Sequence, residues 1–188
     1  MIGAAFGVVL ARAQARDEAA FACLFRDVQP ALLRYLRVIT PEAEDVAGDT
    51  WLLVVRGLAG FSGGEEAFRA WLFTIARHRA ADAGRSRARR PAVPLGVSEE
   101  APDLAAGQPP VPDPADLALD GISARAAVAL IATLPRDQAE VVMLRVVAGL
   151  DVADVARIVG KSPGAVRVTA HRALRRLAGH LERAGVTP

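Results

Sequence analysis

The sequence predicts an all-α protein of two small helical domains, residues 16–90 and 122–184, joined by an extended acidic, proline-rich linker. Three observations predict it. Apolar residues recur at helical spacing through both flanking regions, the period of helices that bury one face. Between them, residues 91–121 read PAVPLGVSEEAPDLAAGQPPVPDPADLALDG, with no sustained helical period and seven of the twelve prolines in the chain. Proline removes a backbone donor and restricts its neighbours, so this segment reads as a tether. Charge follows the same division. Residues 71–90 carry six arginines against Asp82, a net +5; residues 157–183 carry a net +6; residues 91–121 hold six acids and no base. The overall +2 therefore hides a basic, acidic, basic pattern, which suggests two surfaces for a polyanion separated by a segment repelled from it.

The opening MIGAAFGVVLARAQARDEAA lacks both the basic start and the small-residue cleavage site of a secretory signal, so residues 1–15 read as a helical or frayed extension. No stretch reaches the roughly 18 to 20 consecutive apolar residues of a membrane span. Cys23 is the only cysteine, which excludes an intrachain disulfide and fits a reducing cytoplasm; beside Phe21, Leu24 and Phe25 it reads as a small buried hydrophobe.

In the first domain Phe21, Leu24, Phe25 and Val28 make a helical stripe, and Pro30 breaks or kinks the segment before Leu32, Leu33 and Leu36. In TPEAEDVAGDTWLLVVRGL, Thr40 is placed as N-cap with Pro41 at the first helical position, and Glu42, Glu44 and Asp45 suit the positive end of the dipole. Val46, Thr50, Leu53 and Val54 form the inner face. The loop FSGGEE ends that helix, and another runs from about Phe68 to Arg85.

In the second domain LPRDQAEVVMLRVVAGL is a helix closed by Gly149, and DVADVARIVG is a short helix with Asp151 as N-cap and Gly160 as its terminal glycine. Ser162 caps the next helix, with Pro163 at its first position. Two helices joined by so short a turn make a helix-turn-helix pattern. On the last helix Val166, Ala170, Ala173, Leu174 and Leu177 share one face, leaving Arg167, His171 and Arg175 on another beside Val168, Arg172 and Arg176. Such a helix fits the major groove, its first turns at base edges and its later arginines at phosphates. The plainer alternative is a solvated basic face on a core helix.

The stretch WLFTIARHRAADAGRSRARR, residues 71–90, sets Arg77, His78, Arg85, Arg87, Arg89 and Arg90 beside Trp71. Aromatics next to a basic track suit single-stranded nucleic acid, whose bases stack while cations follow the backbone. A purely structural Trp71, buried in the core, is the equal alternative.

The blocks PEAEDVAGDTWLLVVRGL, FRAWLFTIARHRAADAGRSRARR and LPRDQAEVVMLRVVAGLDVADVARIVGKSPGAVRVTAHRALRRL resemble a bacterial RNA polymerase sigma factor of the extracytoplasmic-function (ECF) group. The resemblance spans roughly residues 18 to 180, in the family's order and with its linker. It implies that residues 16–90 are sigma region 2 and residues 122–184 sigma region 4. Asp45, Asp49, Trp51, Leu52 and Arg56 would dock on the clamp helices of the beta-prime subunit, and region 4 would meet the beta flap. Leu52, an apolar residue among charges, suits such a partner surface. Phe61, Ser62, Gly63 and Trp71, with Arg77, His78, Arg85 and Arg87, would read and melt the -10 element, taking a flipped non-template base into a loop pocket. Unstacking costs a few kcal/mol per step, which binding of the separated strand must offset. Ser162, Arg167, Val168, His171, Arg172, Arg175 and Arg176 would read the -35 element, and the linker would run toward the active-centre cleft. An anti-sigma protein, cytoplasmic localisation without membrane insertion, and no cofactor are implied as well.

Some positions depart from the family pattern. Gly48 stands where glutamine is frequent, and a mid-helix glycine costs up to ~1 kcal/mol. His78 replaces a usual asparagine, and Val168 and Thr169 occupy positions often polar or basic, so a relative's promoter sequence does not transfer.

An enzyme is the reading from another class. The chain has no phosphate-binding glycine loop, no HExxH and no nucleophile elbow, and His78, His171 and His180 with one cysteine make no metal set. The nearer rival is a dimeric helix-turn-helix regulator that binds duplex DNA by itself. A long tether fixes half-site spacing poorly, yet suits two elements engaged on one large partner.

Overall fold

Side-chain caps start three of the described helices. Asp17 Oδ1 accepts from the N–H of Ala20 at 3.0 Å and Asp151 Oδ1 from that of Asp154 at 2.7 Å. Ser162 Oγ accepts from Ala165 N at 3.2 Å. Each such cap contributes about 1 kcal/mol. The computed structural model describes residues 1–89 and 126–183; the proline-rich segment, Arg90 and the domain boundary at residue 122 lie outside the described residues.

A short 3-10 turn, Gly3–Ala5, leads into α1 (Phe6–Gln14), followed by α2 (Glu18–Ile39), α3 (Ala43–Leu58) and α4 (Glu65–Arg89). Beyond the undescribed segment come α5, seen over 126–132, α6 (Arg136–Val142), a π-helical turn Met143–Val147, α7 (Val152–Val159) and α8 (Pro163–Arg183). Among the described residues there is no strand.

Between α1 and α2, Arg16 adopts a left-handed φ of 66°. Its N–H donates to Ala13 O at 3.0 Å, and that of Asp17 to Arg12 O at 3.1 Å, the paired bonds of a Schellman turn in which glycine is the usual residue. The second half uses glycine where φ is positive: Gly149 (69°) closes the π-helical turn and Gly160 (68°) ends α7.

Three expectations about helix limits are corrected. Of the break or kink expected at Pro30, the break does not occur: α2 runs through that exposed residue, its N–H loss offset by buried Leu24, Val28, Leu32, Tyr35 and Leu36 on the opposite side. Thr40 does not cap α3. It is the extended residue that ends α2, its N–H donating to Leu36 O at 2.8 Å, and its hydroxyl donates to the Glu42 carboxylate at 2.7 Å, so α3 begins only at Ala43. α4 starts at Glu65 because Gly64 O already accepts from Phe68 N, and it continues to Arg89.

α1 to α4 bury Leu32, Tyr35, Val54, Phe68, Leu72 and Phe73 at their centre. Phe6, Leu10 and Ala13 of α1 join them, so the segment that reads as an extension is packed into this core. α6, α7 and α8 enclose Val142, Leu144, Val155, Ile158, Val166 and Ala173. Leu174 is 55% exposed, against its expected inward position; on α8 the buried contacts are made by Val166 and Ala173, with Ala170 and Leu177 half-buried. The buried cluster is continuous between the halves, with α4 against α7 and α2 against α6 and the π-helical turn.

Candidate nucleic-acid interface

The connection from α3 to α4 is organised by aromatic rings. Phe61 stacks on Trp71 with centroids 5.0 Å apart and planes 22° from parallel, and meets Phe68 edge-on at 5.6 Å and 79°. Both Phe61 and Trp71 are half-buried, so each ring supports the loop while keeping an accessible edge. Gly57 has to be small: a Cβ there would lie 2.8 Å from the Trp71 ring. Gly63 has φ 150°, and a Cβ on it would meet Ala67 at 3.0 Å and Phe61 at 3.2 Å. Ser62, Gly63 and Gly64 form an exposed tip beside these rings. A preformed, partly apolar loop with accessible backbone can take a base out of a stack.

The arginines that follow on α4 do not form an open basic track. Arg77 Nε donates to Glu140 Oε1 of α6 at 2.8 Å, Arg87 Nη1 to Glu42 Oε1 at 2.7 Å, Arg79 Nη2 to Asp49 Oδ2 at 2.9 Å, and Arg85 pairs with Asp82. Exposed pairs of this kind contribute about 0–1 kcal/mol, so phosphates can displace the carboxylates from Arg85 and Arg87 at little cost. The Arg77 pair is more enclosed and spans the two halves of the molecule. His78 is exposed on the same helix.

On the outer face of α3, Leu52 is 57% and Val55 54% exposed, and Asp45, Asp49 and Arg56 surround them in solvent. Gly48 lies on this face with open space where a Cβ would stand. Trp51 differs from its neighbours. It is 7% exposed, lies against Phe21 and Phe25 at 5.8 and 4.9 Å, and donates through Nε1 to Gln29 Oε1 at 2.6 Å. Its indole therefore braces α3 against α2 from behind. A pocket of about 530 Å³ opens next to this face, with Gln14, Phe21, Val55 and Leu58 in its wall.

Along α8, Arg167, Val168, His171, Arg172, Arg175 and Arg176 are all exposed, with Ser162 at the capped start. α7, held by Asp151 and ended by Gly160, packs against α8 and fixes the turn before it. The result is a rigid helix carrying four arginines on its open sides, the shape and charge that a major groove accepts.

Sequence reasoning missed three residues. Arg69 is 7% exposed: Nε donates to Ala148 O and Nη1 to Asp27 Oδ2, both at 3.0 Å, so one guanidinium ties α4 to α2 and to the second half. Its signal was present, since Arg69 precedes Leu72, Phe73 and Ala76 by three, four and seven residues and so lies on their buried stripe. Glu140 accepts from both Arg77 and the hydroxyl of Tyr35, the latter at 3.2 Å. Burial, reinforced by the Glu140 charge, raises the Tyr35 phenol well above its ordinary value and keeps it a donor. Gln14, whose side-chain amide donates to Leu58 O at 3.0 Å and Phe61 O at 2.7 Å, has no sequence signal. Among the described residues no group of three or more His, Cys, Asp or Glu is arranged to hold a metal ion.

Comparison with known proteins covers both halves. Residues 24–90 match the family described as Sigma-70 region 2, and residues 124–177 that described as Sigma-70, region 4. Over 192 aligned residues the chain is 35% identical to the ECF RNA polymerase sigma factor SigD of Mycobacterium tuberculosis, covering 98% of this chain and 88% of that protein. It is 36% identical over 182 residues to ShbA of Streptomyces griseus, also an ECF RNA polymerase sigma factor, covering 91% and 92%. Among solved structures it is similar to RpoE of Bartonella quintana in complex with the anti-sigma factor NepR, with a TM-score of 0.60, 27% identity, and coverage of 86% of this chain and 96% of that one.

Proposed function

The chain belongs to the extracytoplasmic-function group of sigma-70 factors, and from that premise we propose how its surfaces divide the work of initiation. It is an alternative sigma factor: it binds core RNA polymerase and directs promoter recognition and transcription initiation. It contributes by binding and positioning rather than by catalysis.

Residues 16–90 act as region 2, with residues 1–15 packed onto it, and residues 122–184 as region 4. Leu52, with Asp45, Asp49 and Arg56, docks on the beta-prime clamp helices, and Trp51 keeps that face in register from beneath. Phe61, Ser62, Gly63 and Trp71 take the flipped base of the -10 element; His78, Arg85 and Arg87 hold adjacent phosphates, and Arg77 joins them once Glu140 lets go. Ser162, Arg167, Val168, His171 and Arg172 read the -35 element, with Arg175 and Arg176 on the backbone.

The observation that carries this reading is the pairing, in one chain, of an aromatic-braced loop suited to a single strand with an exposed arginine helix suited to a duplex. A protein partner of the anti-sigma kind, such as the one bound to the Bartonella RpoE, would restrain it. Its place of action is the cytoplasm, at the nucleoid; among the described residues no helix is long and apolar enough to cross a membrane.

The test is run-off transcription from a promoter-containing fragment library with core polymerase, with and without the protein, followed by sequencing of transcript starts. Starts that require the protein and share -35 and -10 motifs are expected. No new starts, together with a discrete footprint on duplex by the protein alone, would overturn the reading in favour of a dimeric regulator.

A further inference from the structure

We infer that Gln14, on the N-terminal helix, is a positioning residue for reading the melted -10 strand, because its side-chain amide clamps the backbone of the loop that would receive the flipped base. The inference rests on the assignment of that loop in the preceding section.

The geometry starts at the turn after α1. Arg16 in its left-handed conformation, the two Schellman bonds, and the Asp17 carboxylate, which caps α2 and accepts from Arg12 Nε at 2.8 Å, fix the direction of the last turn of α1. Phe6, Leu10 and Ala13 anchor the other side of the helix in the core, with Phe6 5.8 Å from Phe68. Gln14 is thereby delivered to the end of α3. Leu58 O, at the C-terminus of α3, accepts from Phe61 N at 3.1 Å and takes the Gln14 amide as a second donor, and Phe61 O belongs to the loop. Only the amide nitrogen of glutamine has donors for two carbonyls at once, so its orientation is set by the contact itself.

The same N-terminal segment holds the far end of the loop. The Glu65 carboxylate, in the first turn of α4, accepts from the backbone N–H groups of Ile2 and Gly3, each at 2.8 Å. The loop from Ala59 to Gly64 is thus tied at both ends to the N-terminal segment, through Gln14 of α1 at one end and Ile2 and Gly3 at the other. Phe61 is held three times, its ring by Trp71, its N–H by Leu58 O at 3.1 Å and its carbonyl by Gln14. Without the amide, the carbonyl can rotate and the Ser62 and Gly63 backbone it leads into loses its fixed direction. A base pocket made of backbone and ring edges depends on that direction.

The experiment compares holoenzymes carrying the wild-type chain, Gln14→Met, Gln14→Glu and Leu10→Ala. Met keeps the size and removes the donors; Glu keeps the shape and turns a carboxylate against two carbonyls; Leu10→Ala loosens α1 in the core without touching the loop. Readouts are affinity for core polymerase, open-complex formation on the promoter recovered above, discrimination against single-base changes in its -10 element, and hydrogen exchange of the loop amides. For Gln14→Met, core affinity within about 2-fold of wild type and a loss of about 10-fold in opening are expected, the latter equivalent to about 1.4 kcal/mol. Discrimination at one -10 position should fall several-fold, Ser62 and Gly63 should exchange faster, and Gln14→Glu should be worse. Leu10→Ala should lower stability and leave discrimination intact. Wild-type discrimination and loop protection in Gln14→Met would overturn the inference; so would equal losses on every template with discrimination unchanged, which is a purely structural role. If the wild-type chain drives no transcription while Gln14→Met still loosens the loop, the functional assignment fails and the brace stands only as architecture.

Discussion

The two halves of this molecule expose their candidate DNA surfaces by opposite means. The second half offers one face of a regular helix: α8 starts at the Ser162 cap, packs on α6 and α7 with Val166 and Ala173 as anchors, and its arginines stand in solvent. The first half offers a loop, and the loop is over-determined, by the Phe61–Trp71 stack, by two glycines whose Cβ would collide and by Gln14 from another helix. A duplex presents a regular groove, and a regular helix matches it without special support. A base leaving its stack costs free energy, which a pocket can offset only if it does not also have to be ordered on binding. The surface for the single strand thus draws on contacts from distant segments, whereas the surface for the duplex rests on the two helices packed directly behind α8.

The sharpest way to break this comparison is at Arg69, where the halves are joined. Arg69→Ala leaves the buried Ala148 carbonyl without its donor and Asp27 with only the Met1 amine, 2.6 Å away, and removal of such a buried, charge-assisted partner costs about 3 kcal/mol. Urea denaturation followed by both tryptophans, Trp51 and Trp71, should show a large loss in the first half. A shift below about 1 kcal/mol would mean that the link between the halves contributes little.

Next come paired substitutions on the two surfaces. Arg172→Ala should cost about 1–3 kcal/mol in discrimination at the -35 element, with thermal stability unchanged, because the side chain is exposed. Trp71→Ala should lose both -10 opening and stability, since the indole supports Phe61 and packs near Phe68 at 6.0 Å. Melting temperature and template-dependent transcription on the same variants separate the two patterns; a stability loss in Arg172→Ala would erase the contrast.

A smaller effect is expected at Arg16, where the first half uses a side chain in a conformation that the second half gives to glycine. Arg16→Gly removes left-handed strain worth about 1–2 kcal/mol, partly offset by greater freedom of the unfolded chain, for a net gain near 1 kcal/mol in denaturant stability. The smallest effect is in pH. Asp17, held down by the Ala20 N–H, Glu42, by the Thr40 hydroxyl, and Glu44, by Arg37, all titrate below ordinary carboxylates and all lie in the first half. A lowered folded value means that their stabilising contribution is present above the usual carboxylate range and is lost as pH falls through the lowered values. The urea midpoint reported by Trp51 and Trp71 should therefore begin to fall below about pH 4, as these groups protonate.

How much was legible in the sequence follows from how far each interaction reaches. Asp151, Gly160 and Ser162 act within three or four residues, so the capped turn and the helix it launches are legible from local residues alone. The exposed Leu52 among Asp45, Asp49 and Arg56 followed from helical spacing alone. Thr40 misled because a threonine followed by Pro and Glu satisfies the local rule for a helix start equally well as the end of α2. Trp51 falls on the stripe of Ala47, Val54 and Leu58, which marks it as inward-facing, but only Gln29, 22 residues away, and two phenylalanines fix where its ring lies. Only the tertiary structure could bring Arg69 to Ala148, Arg77 to Glu140 and Gln14 to Phe61, across separations of 79, 63 and 47 residues. Periodicity records which side of a helix is buried, but a hydrogen bond also needs a partner at a defined distance and direction, and that exists only after the helices have packed.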